Sequence, residues 1–180
     1  MNTRAELVVR ATDFVTQHGV DNQSLRAIAA AIGTSHRMLI YHFGSRDGLI
    51  EAIVDGLWER IRGGLSTLSP QDGEDVIEIG WRFWTTTVEA ETLAPMFFEL
   101  SAPAMRGAPW ATAFRSGSEA LTAQLASLLE RPGLPPAEAK NLARLTMYVV
   151  RGAMWELAIT QDRASADSAV HKFLQQHWPR

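Results

Sequence analysis

Apolar positions recur at intervals of three and four along nearly the whole chain, the spacing of amphipathic helices. No segment alternates with the period of two that a half-buried strand requires. Thr3-x-x-Glu6 reads as a capping box, after which Leu7, Ala11, Phe14, Val15 and His18 share one face and Gly19 suits the helix end. Ser24 caps a second helix from Leu25 to about Ile32, and Ser35 caps a third that ends near His42 before Gly44. Ser45 then starts a long fourth helix whose stripe of Leu49, Ile53, Val54, Leu57, Trp58 and Ile61 fades at Gly63-Gly64. Residues 69–73 have loop composition, and a fifth helix is predicted from about Glu74 to Glu89. Pro95, Pro103, Gly107 and Pro109 predict broken or short helices over residues 92–109. Helices follow at about 110–130, from Pro136 to about Gln161, and from Ser165 or Ser168 to the end. The predicted fold is all-α with about nine helices: a small N-terminal head over residues 1–46 and a larger body over residues 47–180.

Composition narrows the class. The 180 residues are 46% hydrophobic and 21% charged, which is globular and long enough to bury a core without staples. There is no cysteine, so disulfides, thiolate metal sites and cysteine nucleophiles are excluded. Nothing resembles a signal core or a membrane span, and a cytoplasmic protein without membrane partners is expected. The net charge of −3 divides into +2 for residues 1–46 and −5 for the remainder. A basic head on an acidic body is compatible with nucleic-acid contact through the N-terminus.

Residues 24–46, SLRAIAAAIGTSHRMLIYHFGSR, carry the most information. A helix, a turn around Gly33 and a second short capped helix make a helix-turn-helix, whose second helix enters the major groove of DNA. The Ile-Ala pair, the Gly-x-Ser turn, Tyr41-His42-Phe43-Gly44-Ser45, Arg46 and Leu49 resemble the signature of the tetracycline-repressor (TetR) family of bacterial transcriptional regulators, over about residues 3–53. Double-stranded DNA is then the expected partner. Ser24, Thr34 and Ser35 are caps that can also hold phosphates at helix N-termini. The resemblance places His36, Arg37 and Met38 at the groove, with Arg37 the best candidate to fork onto a guanine. Arg26, Tyr41 and His42 are further candidates for DNA contact, His42 equally for packing within the head, and in the family pattern Arg46 reaches a phosphate. The sequence departs from the pattern twice. Arg37 stands where the family usually has a small residue or proline, and Ile40 where it has a tyrosine.

In such a family the body binds a small molecule and the last two helices pair subunits. Trp81, Trp84, Phe98, Met105, Tyr148 and Trp155 are the candidates to line a pocket for a small, largely apolar effector. Glu78, Glu99, Arg151 and Glu156 lie in the same helices and are candidates to orient a polar group. Ala143, Val150, Ala153, Leu157, Val170, Phe173 and Leu174 form stripes suited to a homodimer interface, though intrachain packing uses the same stripes. Such a dimer would read a palindromic operator and most often repress. No histidine pair has metal-ligand spacing, and no phosphate loop or nucleophile motif appears, so neither enzyme, metal nor cofactor is expected. A helical interaction module, or a regulator without effector control, is the alternative.

Overall fold

The structure, a computed structural model, describes residues 3–20, 23–66, 76–89, 93–130 and 133–178. Among them lie α1 (Arg4–His18), α2 (Leu25–Ala31), α3 (His36–Phe43), α4 (Arg46–Ser66), α5 (Val76–Glu89), α6 (Leu93–Met105), α7 (Ala111–Leu129), α8 (Pro136–Thr160) and α9 (Arg163–His177). The described residues contain no strand, and the all-α reading holds. No helix among them is long and apolar enough to cross a membrane. The loop expected at 69–73, the first residues expected of the fifth helix, and Arg131-Pro132 lie outside the described residues.

The chain packs as two compact units, Met1–Arg60 with Pro95–Ser118, and Ile61–Ala94 with Glu119–Arg180. The head expected over residues 1–46 lies wholly in the first unit, which also takes in most of α4 and the segment from Pro95 to Ser118. Within this unit Leu7, Ala11 and Val15 of α1, Ile28 of α2, Leu39 of α3 and Ile50, Ile53 and Leu57 of α4 are buried. The α1 capping box is complete, with Glu6 N–H donating to Thr3 Oγ1 at 3.2 Å and Thr3 N–H to Glu6 Oε2 at 2.9 Å. Gly44 ends α3 at φ +74°, a conformation that L side chains rarely adopt.

Further along the same unit, Trp58 of α4 meets Phe97 of α6 edge-on at 5.7 Å and Phe114 of α7 at 5.4 Å. Its indole lies against the backbone of Gly117, so close that a Cβ there would overlap the ring. Gly117→Ala is therefore expected to destabilise by about 1–3 kcal/mol despite the better helix propensity of alanine. Gly63→Ala in α4, with open space around the added carbon, is expected to be neutral or stabilising. Urea unfolding of the two variants checks the contrast.

In the second unit α9 packs against α8 and α5. Gly80 of α5 admits Leu174 and Trp178, which would stand 2.7 and 2.9 Å from a Cβ at that position. Trp178 donates through Nε1 to Thr146 Oγ1 at 3.0 Å, and Thr146 in turn donates to Leu142 O at 2.8 Å. Trp84 is fully buried, and its Nε1 donates to Asp167 Oδ1 at 2.6 Å. The same oxygen accepts from Arg163 Nε at 2.8 Å.

Three helix boundaries differ from expectation. α4 does not fade at Gly63-Gly64 but continues to Ser66, because Gln124 Nε2 of α7 holds its end at Arg62 O (3.2 Å) and Ser66 Oγ (2.8 Å). Residues 93–105 form one helix rather than broken pieces. Pro95 stands in the first turn of α6, where a proline breaks little, Pro103 lies two residues before its end and forgoes one i→i−4 bond without ending the helix, and Gly107 at φ +82° closes the turn that follows. α9 begins at Arg163 rather than Ser165 or Ser168, because Asp162 supplies the cap. Its carboxylate accepts from Ser165 N–H at 3.0 Å and from Ser165 Oγ at 2.6 Å, and the Ser165 hydroxyl holds its pKa below the ordinary aspartate value.

Candidate nucleic-acid interface

The helix-turn-helix is built from local signals. Ser24 Oγ accepts from Ala27 N–H at 3.1 Å and starts α2, and Ser35 Oγ accepts from Met38 N–H at 3.1 Å and starts α3. Between them Gly33 adopts φ +66°, and Thr34 N–H returns to Ala29 O at 2.9 Å, so the two helices meet across a short closed turn. Leu39 faces inward on α3 and is fully buried. The opposite face presents His36, Arg37, Ile40 and Tyr41 to solvent, Tyr41 being 79% exposed. These positions, spaced at one and four along a helix of two turns, converge on one surface able to reach base edges. Ser24, Arg26 and Ser35 are exposed beside it, while Thr34 and Met38 are half-buried.

Two expected contacts are corrected. Arg46 does not point to a phosphate. Its Nε donates to Gln23 O at 2.7 Å and its Nη2 to Val20 O at 2.7 Å, so the guanidinium holds the connection between α1 and α2. His42 is half-buried and sits edge-on to Tyr41 at 5.0 Å. Its Nε2 is sealed from solvent and has no hydrogen-bond partner among the described residues, so this histidine packs within the head. Two surface residues were not anticipated. Ile40 offers methyl groups where a phosphate contact was thought to be missing. Arg4 stands over the Phe43 ring at 5.2 Å, a cation–π contact that carries a positive charge to the end of α3.

The six residues expected to line an effector pocket divide between the two units, Phe98 and Met105 in the first and Trp81, Trp84, Tyr148 and Trp155 in the second. Trp84 is core, with its N–H satisfied by Asp167. Met105 (81% exposed), Tyr148 and Trp155 (56% exposed) face solvent. Trp81 is half-buried against His171 at 5.2 Å, and Phe98 is half-buried edge-on to Phe97 at 5.3 Å. Of the charges thought able to orient a ligand, Glu78 and Glu156 are exposed, and Glu99 binds Val20 N–H of the head at 2.6 Å. Arg151 is half-buried, and burial holds its pKa below the ordinary arginine value.

The expected dimer face is corrected too. Ala143, Val150, Ala153, Val170, Phe173 and Leu174 are buried within this chain and Leu157 is half-buried, so these stripes are used for intrachain packing. A second stripe on α8, formed by Leu145, Tyr148, Trp155 and Ile159 with Gly152 among them, lies exposed at intervals of three and four.

Comparison with known proteins agrees with the head's geometry. Residues 7–53 match the family model described as bacterial regulatory proteins, tetR family. Over this N-terminal segment the chain is similar to that family. An HTH-type transcriptional repressor of Mycobacterium tuberculosis is 32% identical over 68 residues, which cover 38% of this chain and 36% of the relative. The likeness to solved structures extends over the whole chain. A TetR transcriptional regulator from Legionella pneumophila superposes with a TM-score of 0.80 at 21% identity, covering 99% of this chain and 98% of the other. The multidrug binding protein EbrR, solved in complex with imidazole, gives a TM-score of 0.70 at 21% identity over 98% and 95%. The tetR fold therefore covers the second unit as well as the head.

Proposed function

We propose that this protein is a DNA-binding transcriptional regulator that acts as a homodimer, docks α3 of each subunit in a major groove of a palindromic operator, and most often represses. The observation that carries this reading is the solvent-facing set His36, Arg37, Ile40 and Tyr41 on a doubly capped helix-turn-helix that matches the tetR family model. Arg37 forks onto guanine O6 and N7, and Ile40 meets a thymine methyl. The hydroxyls and amides of Ser24, Thr34 and Ser35, with Arg26 and Arg4, hold flanking phosphates. One short helix reads too few bases for specificity, so two copies act together, their half-sites about 34–36 Å apart or a multiple of that. The apolar α8 stripe from Leu145 to Ile159 is the surface at which the second copy docks.

A small, largely apolar effector binds the remaining helices and favours the conformation that does not fit DNA, which releases the operator. The description of EbrR as a multidrug binding protein supports a ligand site in this fold. Phe98 remains a candidate from the expected set in the first unit, and Trp58 of the same unit joins it through an indole N–H that is buried without a partner among the described residues.

Fluorescence anisotropy on a duplex that the protein selects from genomic fragments tests the DNA reading, with a shuffled duplex and a salt series beside it. Wild-type binding is expected to prefer the selected duplex and weaken with salt. Arg37→Ala, losing about 1–3 kcal/mol at each half-site, is expected to bind at least about 30-fold more weakly. Equal affinity of wild type and Arg37→Ala would remove the assigned role of α3.

A further inference from the structure

The backbone of Val20 is held at both ends. Its N–H donates to Glu99 Oε1 of α6 at 2.6 Å, and its C=O accepts from Arg46 Nη2 of α4 at 2.7 Å. Arg46 also binds Gln23 O through Nε at 2.7 Å, one residue before the Ser24 cap that starts α2. Glu99 is packed as well as bonded, since its carboxylate stands 3.2 Å from where Gly19 would carry a Cβ, just beyond the end of α1. A third link lies about one turn away along the α1–α6 seam, where Thr16 Oγ1 donates to Met96 Sδ at 3.3 Å. Glu99 is also the one charged residue in α6, LAPMFFELSAPAM. A lone carboxylate in an apolar helix needs a partner, and its partner here is the head's own backbone.

We infer that Glu99 and Arg46 are positioning residues for DNA docking, and that Glu99 passes any displacement of α6 directly to the α1–α2 connection. The two side chains grip opposite ends of one peptide segment, so a shift of α6 pulls on Val20 while α4 holds its carbonyl. That segment sets the start of α2, and α2 sets α3 across the Gly33 turn. The functional part of this inference rests on the DNA-binding reading, whereas the clamp itself is a property of the protein without DNA.

Amide hydrogen exchange of the full chain, without DNA, reads the clamp at Val20. The wild type is expected to protect this amide. Glu99→Ala is expected to exchange there about tenfold faster or more, the loss of one charged hydrogen bond, while Glu99→Gln keeps an acceptor and retains most of the protection. Leu100→Val, which trims a buried side chain on the next residue of α6, is expected to speed exchange at Val20 in the wild-type background and add nothing in Glu99→Ala. In anisotropy on the selected duplex, Glu99→Ala is expected to weaken binding about tenfold and Glu99→Gln to restore it. Equal Val20 exchange in wild type and Glu99→Ala overturns the clamp. Additive effects of Leu100→Val and Glu99→Ala overturn the relay. If Val20 exchange responds as expected but no genomic duplex is bound, the clamp stands and the regulator reading falls.

Discussion

Tyr148→Glu combined with Trp155→Glu is expected to convert the protein to a monomer and to weaken operator binding by about 100-fold or more. Both side chains stand exposed on α8, in line with Leu145 and Ile159, a continuous apolar face of the kind that marks an interaction surface. Two carboxylates placed there meet their symmetry mates at a two-fold interface, where like charges lose their water and repel. Each half-site must then be bound without the avidity of a linked pair, a loss on the order of 10²–10⁴. Because both positions are exposed, the subunit's own core is untouched, and far-UV circular dichroism should match the wild type. Light scattering after size exclusion, run beside the anisotropy titration, measures both effects. A variant that stays dimeric would move the interface elsewhere on the surface.

Trp84→Ala is expected to lower stability by about 3–5 kcal/mol, the usual cost of removing a buried aromatic side chain. Trp84 is completely enclosed, and its N–H satisfies Asp167, which also accepts from Arg163. The alanine variant opens a cavity between α5 and α9 and removes one donor from that carboxylate. Trp84→Phe keeps most of the volume and loses the hydrogen bond, so its cost should be smaller, about 1–3 kcal/mol. For a chain of this length the alanine change corresponds to a fall in Tm of roughly 6–20 °C. Thermal and urea unfolding of the two variants separates cavity from hydrogen bond. A small effect of Trp84→Ala would mean that this residue does not anchor the second unit, and would reopen its candidacy for a pocket.

The head was legible because its signals are local. Thr3, Ser24 and Ser35 each bond the third amide beyond them, and Gly33 and Gly44 supply the backbone conformations that the turns require. Arg46 was misjudged for the opposite reason. Its partners lie 23 and 26 residues away, at distances in sequence that no spacing rule reaches. Glu99 bonds a residue 79 positions earlier, yet the sequence did hold a signal, since α6 contains no other charge.

The body shows where periodicity stops. α8 carries two apolar stripes, one small (Ala139, Ala143, Thr146, Ala153) and one large (Leu145, Tyr148, Trp155, Ile159), and period alone does not say which turns inward. The small one lets helices approach and is buried within the chain. Of the large one, Tyr148 and Trp155 read as pocket aromatics in the sequence, and the structure leaves them at the surface. Trp81 and Trp84 illustrate the same limit, being three residues apart on α5, one half-buried beside His171 and the other sealed in the core.

The most direct test of the account is a hydroxyl-radical footprint of the protein on the duplex it selects. Two protected tracts related by a two-fold axis, centred about 34–36 Å apart or a multiple of that, and lost together in Arg37→Ala, are the predicted result. Uniform protection that does not depend on sequence, or a footprint unchanged in Arg37→Ala, would contradict a dimer reading DNA through α3.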